Sequence, residues 1–356
     1  MNIFVALMLV FAAIGLLDEI LGGKLGLMAE FEKGLTTMGG LAMSTVGFYA
    51  IGVSFVQNNA DAIAAVAENL PFDPSLVIGC LLAPDMGALA VAQRLAASAA
   101  LAVFTGAMVS GGLGATVGYQ LPVFLAAVKK DEIPELMRGF IFGLIALPAG
   151  LVVGGRMLGL PVKLMIVNMV PVLVLCVILI AAFLAVPKQT TSVLIVLGNG
   201  IRIVSFLFFG IAVFGVFLPE YALVDNVLVS EMLYMVLRMV IMACGGLVLS
   251  HIALDKLKGP IERAGRLLGV NNESVVGLFL SCTQSLAMLP LFSQMDRRGK
   301  IINAAFSVAG AYVVGGQLAF VSSMIPPEWV TPYMANKLIA GVLGVVLAIL
   351  FDKKEK

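Results

Sequence analysis

Asp85 is the residue whose chemistry stands out most against its surroundings. It lies in the apolar stretch 75–92, after Pro84 and before Met86-Gly87. A carboxylate deep in such a stretch is expensive to bury and marks a pathway or the counter-ion of a cationic ligand. The plainer use is a carboxylate at a hairpin tip that caps a half-helix. The stretch is too apolar for an ordinary loop, which favours the first use. A second polar cluster, Thr283, Gln284 and Ser285, sits in the apolar stretch 274–291. It offers hydroxyl and amide groups without charge. These suit a ligand or, equally, hydrogen bonds between packed helices. Asn303 and Gln317, in the span that follows, and Asn168, ahead of Pro171, are candidates to line the same cavity. Each alone fits a structural role at least as well. Arg238, about two turns past Glu231, is expected to face protein or water and to pair with an acid such as Asp85 or with freed carbonyls.

No metal site is legible. His251 is the single histidine, and the four cysteines form no CxxC pair. Each cysteine sits in apolar sequence and reads as a small buried hydrophobe. Without HExxH, and with no nucleophile paired to a base, no cofactor is implied and a membrane enzyme is disfavoured.

The elements that must position these residues follow from composition. The chain is 61% hydrophobic and 12% charged, against about 45–50% and about 25% for soluble domains. Its formal net charge of +1 leaves no basic footprint for nucleic acid. Apolar spans fall near 2–21, 35–56, 98–122, 138–157, 163–186, 194–217, 230–253, 300–324 and 334–351. The first lacks a basic n-region and a cleavage site, so it reads as a retained span. The stretches 75–92 and 274–291 carry Pro, Gly and polar residues at their centres, as broken or re-entrant segments do. Such backbone is tolerated at membrane depth only where protein or a water-filled cavity surrounds it.

Loop charges test this arrangement, because cytoplasmic loops collect Lys and Arg. Lys353, Lys354 and Lys356 are taken as inside. With both broken stretches re-entrant, Lys24, Lys33, Lys129, Lys130, Arg138, Lys188, Lys256, Lys258, Arg263, Arg266, Arg297, Arg298 and Lys300 fall inside as well. The base-free loops 57–74 (Asp61, Glu68, Asp73) and 218–229 (Glu220, Asp225) fall outside, and Arg94, Arg156 and Lys163 are exceptions. The expected fold is therefore an all-α polytopic membrane protein of about nine crossings plus two broken or re-entrant segments. The order span, span, broken segment, span, span occurs in 2–157 and again in 194–351. Ser75-x3-Gly79-x-Leu81 echoes Ser274-x2-Gly277-x2-Leu280, and Gly111-Gly112 echoes Gly315-Gly316. An inverted repeat is expected, with residues 1–190 as the first half plus a linking span and 191–356 as the second. Lys256 to Arg266 reads as an amphipathic surface stretch. The pairs Gly114-x3-Gly118 and Gly150-x3-Gly154 suit close helix contacts, within a chain or between copies of it, so a homo-oligomer stays open.

Several runs resemble the EutH-type permeases of bacterial ethanolamine utilisation. The clearest goes from Val270-Asn271-Asn272 through Gln294-Met295-Asp296, Arg298-Gly299-Lys300 and Ile302-Asn303 to Phe306. Leu81-Leu82-Ala83 with Asp85-Met86-Gly87, and Asn168-Met169-Val170-Pro171-Val172-Leu173, extend the likeness over most of the chain. It implies a multispan permease of the bacterial inner membrane with ethanolamine as its small-molecule substrate. Asp85 would then meet the ammonium, and Thr283, Gln284, Ser285, Asn303 and Gln317 the hydroxyl. The chain departs from the family pattern at Gln284, Ser285 and Ala287, where paired asparagines and a proline are usual. It departs again at Gly316 and Gln317, where an acid and a histidine are usual. The competing readings are a carrier of another small amine or neutral solute, a membrane enzyme, and an anchor for partner proteins.

Overall fold

The computed structural model describes residues 3–59, 62, 69–256 and 258–352. Asp61, Glu68 and the tail lysines lie outside them. Every regular element among the described residues is helical. Seven helical stretches are long and apolar enough to cross a membrane: Met28–Val56, Ala99–Leu125, Lys130–Met157, Val162–Ala185, Pro187–Phe217, Asn226–Ile252 and Pro327–Phe351. Of the two other expected spans, 2–21 forms α1 (Ile3–Ile20), a continuous apolar helix of 18 residues, and 300–324 is broken.

At the end of α1, Asp18 turns the chain back. Its Oδ1 accepts from the Leu25 N–H (2.6 Å), and its Oδ2 accepts from those of Leu27 (2.7 Å) and Met28 (3.0 Å). α2 (Met28–Thr36) and α3 (Met38–Asn58) follow. The first broken segment is α4 (Ser75–Leu81), a 3₁₀ turn at Pro84–Met86, and α5 (Ala88–Leu95). Pro84 lacks an N–H to continue the helix, and Gly87 has φ of +95°, which a side chain would resist. Asp73 clasps both ends of this segment. Its Oδ1 accepts from the Ser75 N–H (3.0 Å) and its Oδ2 from the Ala97 N–H (2.9 Å). The segment therefore doubles back to the level at which it began.

Next come α6 (Ala99–Val103), a π-helical run through Phe104–Gly114 and Thr116–Gln120, and α7 (Leu121–Ala127). α8 (Ile133–Met157), α9 (Val162–Ala185), α10 (Pro187–Phe217) and α11 (Asn226–Lys256) are long and unbroken. α12 (Lys258–Leu268) is the short helix expected from the amphipathic stretch. The second broken segment is α13 (Asn272–Thr283), a 3₁₀ turn at Ser285–Met288, and α14 (Leu289–Phe292). Asn271 caps α13 by accepting from the Ser274 N–H (3.2 Å), and its own N–H donates to Asp296 Oδ2 (3.0 Å). This segment also starts and ends at one level. The expected single span 300–324 is α15 (Arg297–Ala309) and α16 (Gly316–Met324), separated by turns at 310–315. The break is held by the first hairpin's counterpart: the N–H groups of Tyr312 and Val314 donate to the carbonyls of Ser281 and Cys282, each at 3.0 Å. α17 (Pro327–Phe351) completes the bundle.

α1 packs along α11 and α10 along α3, while α8 lies against both α15 and α17. α9 and α10 turn rows of apolar side chains outward, among them Val177, Ile178, Leu184, Val196 and Phe217. Such faces are stable against lipid tails. Lys130, Arg138, Lys188 and Arg297 gather round one cleft at one end of the bundle. Two of these, Arg138 and Arg297, pair with Asp352 at 3.2 and 2.9 Å.

Candidate functional site

The tips of the two broken segments meet. Between them lies a cavity of about 80 Å³ bordered by Ser44 of α3, Asp85, Tyr119, Gln284, Tyr312 and Gln317. A second space of about 60 Å³ shares Asp85, Gln284, Tyr312 and Gln317 and adds Thr37, Thr283 and Gly316. Both are far below the roughly 300–1,000 Å³ of drug-sized pockets, which restricts them to a ligand of a few heavy atoms. Among the described residues, Asp85 is the one carboxylate in either lining.

Backbone breaks hold this lining in place. Asp85 projects from the 3₁₀ turn between α4 and α5. Gln284 ends α13 in extended geometry, with φ −155° and ψ 115°. Tyr312 has φ of +62°, an uncommon conformation for a bulky residue. Such strain persists only where the surroundings dictate it. Here Ser285 Oγ donates to the Tyr312 hydroxyl at 2.8 Å. At Gly315 a Cβ would overlap the Thr283 carbonyl, so no larger residue fits where the α15–α16 break meets α13. Gln317 opens α16, and its Oε1 accepts from the Tyr333 hydroxyl at 3.0 Å.

Of the seven residues singled out from sequence, Asp85, Gln284, Gln317 and Thr283 border these spaces. Thr283 also shares a hydrogen bond with Ser250 at 3.2 Å. Ser285 lies behind the wall and orients Tyr312. Asn303 and Asn168 are held elsewhere. Asn303 Nδ2 donates to the carbonyls of Ser274 (2.8 Å) and Gly299 (3.0 Å), tying α15 to α13. Asn168 Oδ1 accepts from the Asp73 N–H at 2.8 Å, which anchors the first broken segment to α9. Arg238 does not reach Asp85. It lies exposed in an outer cleft, with its guanidinium 5.9 Å from the Tyr234 ring centre.

Sequence reasoning missed Lys337. It is 1% exposed, and its Nζ donates to the carbonyls of Ala311 (2.8 Å), Gly111 (3.0 Å) and Ala309 (3.5 Å). Lysine in mid-membrane costs about 2.5–3.5 kcal/mol on insertion scales. Hydrogen bonds from a charged group contribute about 1.5–3 kcal/mol each, so three of them offset that cost. Among the described residues no lysine or arginine forms an ion pair with Asp85. A lone lysine between Asn336 and Leu338 in an apolar span was the available signal. Tyr119, Tyr312, Tyr333 and Ser44 were also missed. Tyrosine and serine are too ordinary in helices for sequence to single them out.

A helical bundle of this length and apolarity defines a multi-pass integral membrane protein, and a small cavity with polar groups in its wall lies where its broken segments approach each other. Comparison with known proteins gives the family. The family described as "Ethanolamine utilisation protein, EutH" matches residues 1–351, and the chain belongs to it. A Listeria monocytogenes protein named "Probable ethanolamine permease EutH" is 28% identical over 98% of this chain and 93% of its own length. The Salmonella typhimurium protein of the same name is 27% identical over 99% and 96%. A Bacillus subtilis relative, "Uncharacterized protein YxeR", is 25% identical over 94% and 90%. No solved structure matches the chain. The chain is thus a membrane permease, and in bacteria its place is the inner membrane.

Proposed function

We propose that this permease carries ethanolamine into the cytoplasm, with Asp85 as the partner of the ammonium group. The observation that carries the reading is an acid without an ion-pair partner in a cavity that fits only a few heavy atoms. An ammonium supplies the missing partner, and charge-assisted hydrogen bonds are the strong ones. Gln284, Gln317 and the Tyr312 hydroxyl present donors and acceptors for the ligand's hydroxyl. The relatives named as probable ethanolamine permeases support the same substrate.

The mechanism that follows is alternating access between two inverted halves, 1–190 and 191–356, with about nine crossings and two re-entrant hairpins. Three paired features favour it. The hairpins are clasped alike, by Asp73 with Ala97 and by Asn271 with Asp296. Ser75 and Ser274 stand at matching places and bond Thr105 and Asn303 of the following helical stretch. The contacts of α1 with α11 and of α10 with α3 are reciprocal. Rocking one half against the other would open the space between the tips to each side in turn.

A second reading, a neutral polar solute, is favoured by Gly316 and Gln317, which put no second acid in the lining. Calorimetric titration of the purified protein separates the two. Ethanolamine should bind, ethylene glycol should not, and a bulky amine such as tris(hydroxymethyl)aminomethane should be excluded by size. Tighter binding of the neutral diol would reassign the substrate class.

A further inference from the structure

Lys337 stands in a place built for a cation. Ala309 is the last residue of α15 and Ala311 lies in the break that follows, so two of its three carbonyl partners belong to the helix end that the break exposes. Helix C-termini leave such carbonyls without intrahelical partners and carry the negative end of the dipole. The third oxygen, Gly111, comes from the π-helical run in the other half of the chain. Three backbone oxygens from two irregular segments thus converge on one point. In transporters with broken helices, such unwound carbonyls and half-helix C-termini coordinate sodium ions or protons. Here the chain's own ammonium fills the position. An ammonium has three N–H donors, and three oxygens receive them. A neutral amine would have one donor fewer and would turn its lone pair on a carbonyl oxygen.

We infer that Lys337 is the tethered occupant of a monovalent-cation site between the two halves, and that the permease therefore moves its substrate without binding sodium. The inference rests on the transport reading above. It also ties the cation position to the substrate cavity. Tyr333, one turn before Lys337, donates to Gln317, which lines that cavity. Gly111 is where these groups come together: a Cβ there would lie 3.3 Å from Gln317 Oε1 and 3.5 Å from Lys337 Cε.

The test compares the wild type with Lys337→Ala and Lys337→Gln. Thermal midpoints are read in detergent with sodium chloride or N-methyl-D-glucamine chloride, and uptake is read in proteoliposomes with sodium or potassium inside and out. The wild type should show the same midpoint and the same uptake whichever cation is present. Lys337→Ala should lose uptake by about tenfold or more without sodium. Saturable addition of sodium should then raise its midpoint and restore part of its transport. A merely structural lysine would give a variant that sodium does not rescue, and that result would overturn the inference. So would Lys337→Gln transporting at the wild-type rate without sodium, because it keeps a donor and lacks the charge. If neither variant folds, the wild type decides: a sodium-dependent midpoint or uptake refutes the idea, and independence in both supports it. If the wild type carries no ethanolamine, the substrate reading fails while the midpoint data still judge Lys337.

Discussion

Replacing Asp85 with asparagine removes one negative charge while keeping the size of the side chain. The cavity beside it is only about 80 Å³, so a bound ammonium has little choice but to lie within about 4 Å of the carboxylate. At an effective dielectric constant of about 20, two unit charges at that distance attract by about 4 kcal/mol. The asparagine oxygen still accepts a hydrogen bond worth about 1–2 kcal/mol, which leaves a net loss of about 2–3 kcal/mol. That is a roughly 30- to 150-fold weaker affinity. Equilibrium binding of labelled ethanolamine to purified wild type and Asp85→Asn reads it directly. Equal thermal midpoints would show that the fold is intact. An affinity within about threefold of the wild type, well short of the coulombic term, would refute the counter-ion role.

Three further substitutions probe the surroundings. Asn168→Ala leaves the Asp73 N–H without its acceptor, so thermal or denaturant unfolding should show a loss of about 1–3 kcal/mol, with ethanolamine affinity unchanged in the binding assay. Ser285→Ala removes the donor that orients Tyr312 and should weaken binding by about 1 kcal/mol, roughly fivefold, with little change in stability. Gly315→Ala drives a methyl group into the Thr283 carbonyl and should lower stability by about 1–3 kcal/mol or more, as overpacking does, along with binding.

Much of the architecture was legible because lipid imposes it. Long apolar runs became helices, and Pro84, Gly87 and Gln284 marked the breaks in 75–92 and 274–291. The need to keep Lys256 to Arg266 on the basic side pointed to hairpins that return, and the clasps at Asp73 and Asn271 bring the two ends of each broken segment together. The break at 310–315 was hidden. Glycines in an apolar span look like packing residues, and the partners that split this one, the carbonyls of Ser281 and Cys282, are distant in sequence. The π-helical run at Phe104–Gly114 has the same hydrophobic pattern as an α-helix and leaves no separate mark.

The site was half legible for a related reason. Asp85 is conspicuous by cost alone, and Gln284 and Gln317 by polarity within apolar sequence. Asn168 and Asn303 are polar in the same way, yet they bond backbone groups that hold the hairpins in place. Residue type does not separate an amide that borders a cavity from one that meets a carbonyl. The run around Asn271, Asp296 and Asn303, which carries the clearest family likeness, turns out to build the second clasp rather than the cavity wall.

Uptake of labelled ethanolamine into proteoliposomes tests the central claim most directly. The account predicts saturable uptake by the wild-type chain with no imposed gradient, abolished by excess unlabelled ethanolamine and untouched by ethylene glycol. Uptake no greater than that of protein-free vesicles, under no gradient and under imposed proton and sodium gradients alike, would contradict it.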